Sequence, residues 1–298
     1  KSRSELNTER RNEASTSIDS MSIREILKSI NDEDSKIIDA VKKVIPKIEQ
    51  TVNYTVKSIK NGGRVFYIGA GTSGRLGVLD ASEIPPTFSA PAEYFIGVIA
   101  GGDNALRNSI EGAEDQIENA INDLKSHSIN KLDTIIGISC SGSASYVISA
   151  LKYARELKAK TIYLITNPNP YKSTKVDVMI QANTGPEIVT GSTRMKAGTA
   201  TKLILNMIST TTMIKLGKVY GNLMIDLKTV NKKLIDRGTR IISEITGLEY
   251  DRAQERLVSA ENSVKSAIVM EEFKCNLEEA KAMLKNVDGF LNRLIRNK

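Results

Sequence analysis

Between residues 64 and 190, five short runs rich in β-branched residues alternate with stretches whose apolar side chains recur at helical spacing: RVFYIG, YFIGVI, DTIIGIS, TIYLIT and DVMIQA. Each run is apolar at successive positions rather than at every second one. Both of its faces must therefore be covered, which is the condition of a parallel strand between two helical layers. The segments around 74–83, 103–126 and 144–157 supply the crossovers. The pattern predicts an α/β chain with a five-stranded parallel sheet in an αβα sandwich.

Helical text flanks this core. Ile23, Ile26 and Leu27, then Ile37, Ile38, Val41 and Val44, recur at helical spacing from Ser22 to about Lys60, and Pro46 is expected to break or kink that run. Gly62-Gly63 marks the change of period. Downstream, Leu203, Ile204, Met207, Ile208, Thr211 and Ile214 share one side of a helix reaching about Lys215. A further helix is expected from Leu227 to Ile245, stopped by Gly247, with three or four short amphipathic helices after it. The expected division is an N-terminal helical segment at 1–61, a central α/β domain at 62–240 and a small C-terminal helical domain at 241–298.

Composition removes several classes. The 42 basic and 35 acidic residues leave +7, which suits an anionic partner, but the two signs are interspersed along presumed helix faces. With no Trp and five Phe, a stacking platform for bases has little to be made from, so no nucleic acid is expected. Cys140 and Cys275 match neither zinc-ligand spacing nor a disulfide framework, which fits a reduced, cytoplasmic setting. No run of 18 apolar residues occurs and the first 20 residues lack the apolar core of a signal peptide, so no membrane partner is expected.

The stretch YIGAGTSGRLGVLDASE, residues 67–83, places Gly69-x-Gly71-x-x-Gly74 directly after a strand. A dinucleotide site also needs an acidic residue about 20 positions on, to bind a ribose hydroxyl. Here the next strand closes on glycines instead, in YFIGVIAGG. Directly after Gly71 stand two hydroxyls, Thr72 and Ser73, at a helix start where free N–H groups and the dipole favour an anion. A second strand-to-helix turn, GISCSGSAS, presents Ser139, Ser141, Ser143 and Ser145. Taken singly, each is better suited to an N-cap than to a ligand. Two such turns at neighbouring strand ends would form one crevice sized for a phosphate monoester.

Three ordered motifs carry a resemblance: GAGTSGRLGVLDASEIPPTF, IAGG…IEGAED and GPEIVTGSTRMKAGTATKLILNM. Together they resemble the N-acetylmuramic acid 6-phosphate etherases, members of the sugar isomerase (SIS) domain superfamily related to glucokinase regulatory protein. The similarity runs from about Leu6 through the helical tail. It implies a SIS fold, a lyase that removes a D-lactyl ether from C3 of a 6-phosphorylated amino sugar in peptidoglycan recycling, no metal or other cofactor, and a homodimer with sites near its interface. Glu83 and Glu114 match the family's catalytic carboxylates. Glu83 is expected at the carboxyl end of the helix after the glycine loop, ahead of Pro85-Pro86, facing the negative end of the dipole; it is assigned as the acid that protonates the leaving lactate. Glu114 is then the base at C2 or the group that activates the added water. The resemblance also brings Arg194 and Lys196 beside the site, toward a substrate carboxylate or phosphate, with Glu187 contacting sugar hydroxyls or fixing its loop. His127 reads as an exposed loop residue and Cys140 as a small wall residue.

One turn departs from the family. Members usually carry Ser-Gly-Arg-Thr-Pro-Tyr where this chain reads Ser141-Gly142-Ser143-Ala144-Ser145-Tyr146, so the guanidinium at 143 and the threonine hydroxyl at 144 are missing, with Ser143 and Ser145 as partial replacements that carry no charge. That keeps an alternative open: a regulatory protein that binds a sugar phosphate without catalysis.

Overall fold

Strand pairing in the computed structural model, which describes residues 6–227 and 231–295, has the order β2-β1-β3-β4-β5. The strands are β1 (Val65–Gly69), β2 (Phe95–Ile99), β3 (Thr134–Ile138), β4 (Lys160–Ile165) and β5 (Val178–Gln181), and every pairing is parallel. All five strands expected from the apolar runs are present. The chain steps outward from β1 to β2 and then returns to the other side of β1 to form β3. The strand order therefore reverses between β1 and β3, the point at which the carboxyl ends of a parallel sheet open a crevice. In register, Gly69 pairs with both Ile99 and Ile138, so β2, β1 and β3 end level.

The chain divides into two compact units, one of Lys1–Ser82 with Glu93–Ser209 and the other of Glu83–Ala92 with Thr210–Lys298. In the first, α1 (Ile23–Asp34), opened by a capping box between Ser22 and Glu25, and α2 (Ile37–Lys60) precede the sheet. Here one expectation changes. The helical run is interrupted at Ser35-Lys36 rather than at Pro46, and α2 passes through Pro46 unbroken. The proline deprives one carbonyl of its donor, a small loss in a helix of 24 residues that buries Val41, Val44, Ile48, Val52 and Ile59. α2 lies against β5, β1 and β3, so the N-terminal helices are built into the same unit as the sheet.

The third helix, α3 (Gly71–Phe88), likewise runs through Pro85 and Pro86, and the single turn of α4 (Asn104–Arg107) comes after β2. One sheet face packs on α5 (Ile117–Ser126) and α6 (Ser145–Glu156), burying Phe66, Ile68, Ile135, Tyr146, Val147 and Leu151 in one cluster. The long α7 (Lys196–Lys215) is the helix expected from Leu203 to Ile214. In the second unit, the hairpin of β6 (Val219–Tyr220) and β7 (Leu223–Met224) precedes α8 (Lys232–Thr246), α9 (Tyr250–Ser259), α10 (Val264–Phe273), α11 (Leu277–Asn286) and α12 (Asn292–Ile295). The helix expected from Leu227 begins at Lys232, capped by Asn231, and Leu227 stands outside it; residues 228–230 lie outside the described residues. Gly247 ends α8 in the left-handed conformation, as expected. Among the described residues the tail holds four helices, but α10 is not amphipathic: every residue from Val264 to Glu271 is buried, and Lys265 there is paired with Asp226 at 2.8 Å.

Candidate active site

Both hydroxyl-rich turns lie at the switch point. After β1 the backbone turns so tightly that a Cβ built on Gly74 would lie 2.7 Å from the Gly69 carbonyl oxygen and 2.6 Å from Ile99 Cγ1, so glycine is required where α3 starts over the strand end. Ser73 is buried there, its Oγ 3.6 Å from Cys140 Sγ across the crevice. The turn after β3 is held from outside: the Tyr171 N–H donates to the Ser141 carbonyl at 3.2 Å and the Lys172 N–H to the Gly142 carbonyl at 2.9 Å. Its serines do not cap α6. The cap position is Ala144, with no side-chain cap bond, while the Ser141 and Ser143 hydroxyls bond each other at 2.7 Å.

Between the turns lies a cavity of about 290 Å³. Gly71, Thr72 and Ser73 line it from one turn and Ser139, Cys140 and Ser141 from the other, with Thr193 beside them. The loop after β2 closes it with Ser109, Glu111 and Glu114. Glu114 does not stand on a solvated face of α5; it occupies a short 3-10 turn, Ala113–Asp115, ahead of that helix. Burial pushes the Cys140 thiol up, away from the thiolate form, which agrees with a wall residue. His127 packs edge-on against Phe66 and has no part in the cavity.

Several expected site residues stand elsewhere. Glu187 is fully buried, and its two carboxylate oxygens accept from the Lys196 and Ala197 N–H groups at 3.0 and 2.9 Å, so it fixes the start of α7. Burial raises its pKa in spite of those bonds. Lys196 is also buried and is paired with Glu33. Burial disfavours the ionised Glu33 carboxyl, but hydrogen bonds from Lys196, Lys36 and Asn12 outweigh it and hold the group at about 2. Arg194 is exposed and does not line the cavity. Glu83 lies five residues before the end of α3, in the second unit, and is not a lining residue; since the helix continues through both prolines, Glu83 is not its terminal carboxylate. Ser143 also stays off the lining, engaged by Ser141.

Four polar lining residues were not foreseen: Arg75, Ser109, Glu111 and Thr193. Arg75 stands one helical turn after Gly71 on the same face of α3, a spacing that could have shown it. Ser109 and Glu111 sit in a loop with no periodicity, and no sequence signal marks them.

Among known proteins, a chain from Oceanobacillus iheyensis named N-acetylmuramic acid 6-phosphate etherase is 51% identical over 97% of this chain and 98% of its own length. The chain belongs to the N-acetylmuramic acid 6-phosphate etherase family. A second family member, from Bacteroides thetaiotaomicron, is 55% identical over 84% of this chain and 90% of its own. Residues 47–155 match the family model of the glucokinase regulatory protein N-terminal SIS domain. A solved phosphoheptose isomerase from Neisseria gonorrhoeae aligns at a TM-score of 0.47 and 17% identity, over 64% of this chain and 99% of its own. In this member of the etherase family the altered serine turn has a cation beside it: Lys172 Nζ donates to Ser145 Oγ at 2.6 Å.

Proposed function

We propose that this chain cleaves the D-lactyl ether of N-acetylmuramic acid 6-phosphate, giving N-acetylglucosamine 6-phosphate and D-lactate. The observation that carries the reading is the meeting of Glu114 with two hydroxyl-rich, helix-opening turns in one cavity. Its volume of about 290 Å³ suits a single sugar. Gly71, Thr72, Ser73, Ser139 and Ser141 form the phosphate seat, where backbone N–H groups and the α3 dipole favour an anion.

The chemistry is elimination and then hydration. In the open-chain sugar the C1 aldehyde acidifies the C2 proton. Glu114 takes that proton, the C3–O bond breaks toward the lactyl oxygen, and an acid protonates that oxygen as D-lactate leaves. Water then adds to the C2–C3 alkene, its hydroxyl to C3 and a proton to C2. Two carboxyl groups in opposite protonation states account for every proton. Glu83 is assigned as the acid on its match to the family's second catalytic carboxylate. The homodimer and the cytoplasmic setting belong to the same reading, as does the division into an N-terminal helical segment, a SIS domain and a helical tail. The test is to incubate the purified protein with N-acetylmuramic acid 6-phosphate and assay D-lactate. Release in proportion to enzyme is expected; binding without release would favour the regulatory alternative.

A further inference from the structure

Arg75 is the one cationic side chain among the described residues that line the cavity, whose other charged members are Glu111 and Glu114. It is half-buried, and its side-on edge is already committed: Nε donates to the Leu106 carbonyl at 3.2 Å and Nη2 to the Asn108 carbonyl at 2.9 Å. Those are its only partners among the described residues. A guanidinium carries five N–H donors, so the end-on edge formed by Nη1 and the second Nη2 proton keeps three, in the geometry that receives a carboxylate through two parallel bonds. No carboxylate among the described residues fills that edge. A guanidinium lining a cavity without an ion pair, beside two acidic groups, asks for an anion from the ligand.

The place where the arginine is tied selects that anion. The two carbonyls that hold it open the loop running on through Ser109 and Glu111 to Glu114. The phosphate seat has its own donors, the N–H groups and hydroxyls of the two turns. Glu114 is placed at the C2–C3 bond, and the ether at C3 carries the substrate's second anion, the lactyl carboxylate, well removed along the sugar from the C6 phosphate. We propose that Arg75 receives the lactyl carboxylate and is the residue by which the site distinguishes the lactyl ether from the same sugar phosphate without it. The assignment rests on the proposed etherase reading. Once the C3–O bond breaks, the bound carboxylate departs with the lactate, so the arginine acts on substrate and transition state while the sugar product never touches it.

The experiment compares wild type, Arg75→Met and Arg75→Lys for lactate release from N-acetylmuramic acid 6-phosphate and for inhibition by N-acetylglucosamine 6-phosphate, which has the phosphate and no lactyl group. In Arg75→Met the KM is expected to rise about 10- to 100-fold, the loss of a charge-assisted pair, with the inhibition constant for the sugar product within about threefold of wild type. Arg75→Lys keeps the charge without the fork and is expected to fall between the two. If Arg75→Met fails to give a cooperative thermal transition, the same comparison on Arg75→Lys decides. Equal weakening toward both ligands in a folded variant would put the arginine on the phosphate or in a purely structural role and overturn the proposal. An unchanged KM overturns it as well. Wild type that releases no lactate removes the underlying reading instead, so the two failures are distinct.

Discussion

At the residue scale the site separates groups that stand in the cavity from groups that hold it. Glu114 is in the cavity. Glu114→Gln keeps shape and hydrogen-bonding capacity but cannot take a proton, so lactate release is expected to fall at least about 100-fold while N-acetylglucosamine 6-phosphate still inhibits near the wild-type concentration. Loss of inhibition together with turnover would move Glu114 from chemistry to binding. Glu83→Gln is expected to abolish lactate release with affinity nearly intact, and unchanged turnover would take Glu83 out of the mechanism. Glycine spacing and hydroxyl content were enough to read Gly71, Thr72, Ser73, Ser139 and Ser141 onto the cavity wall. The surroundings of Glu187 and Lys196 were not legible, because a carboxylate near a helix start and a lysine within it have the same appearance whether they meet a ligand or the chain. Lys196 is neutralised by Glu33, 163 positions away, and no local pattern encodes a partner at that separation.

At the scale of elements, the strands were legible and the helix ends were not. A strand covered on both faces must be apolar throughout, and that demand is written locally in β1 to β5. Proline is a local signal too, but its cost of one backbone bond is outweighed by tertiary burial along α2, and α3 continues through two prolines. The start of α7 depends on charge instead. Glu187 accepts its first two N–H groups, and Lys196, its first residue, reaches Glu33 on α1. Glu33 is held at about 2 against an ordinary 4.5, so the folded state prefers the ionised carboxylate. Its contribution is complete above about pH 4.5 and is lost as the pH falls toward 2. Glu33→Gln strands a buried ammonium and is expected to destabilise the protein by about 3 kcal/mol at pH 7. Urea unfolding at pH 7 and pH 3 should show the gap between wild type and variant narrowing at the lower pH; a gap equal at both would remove the ion pair as its cause.

At the scale of the whole molecule, composition spoke only to classes of partner, and the surface adds one particular. No described helix is long and apolar enough to cross a membrane. Yet four large apolar side chains stand exposed on α1 and α2: Ile23, Leu27, Ile38 and Ile45, with Ile38 at 62% and Ile45 at 46%. Single exposed apolar residues are ordinary, but Ile38 and Ile45 are seven positions apart and so fall on one stripe of α2. The proposed homodimer gives that stripe a partner in a second copy of the chain, whose two-fold contact sets like against like and covers a helix stripe economically. Sedimentation equilibrium is expected to return twice the chain mass for wild type and the single-chain mass for the double variant Ile38→Glu, Ile45→Glu, because carboxylates facing each other across the axis cannot be desolvated without cost. If the sites depend on pairing, lactate release falls with the dimer, by about 100-fold when catalytic groups lose their placement. Wild type that sediments as a single chain at concentrations well above those of the activity assay would remove the dimer, and a fully active monomeric variant would show the site to be complete within one chain.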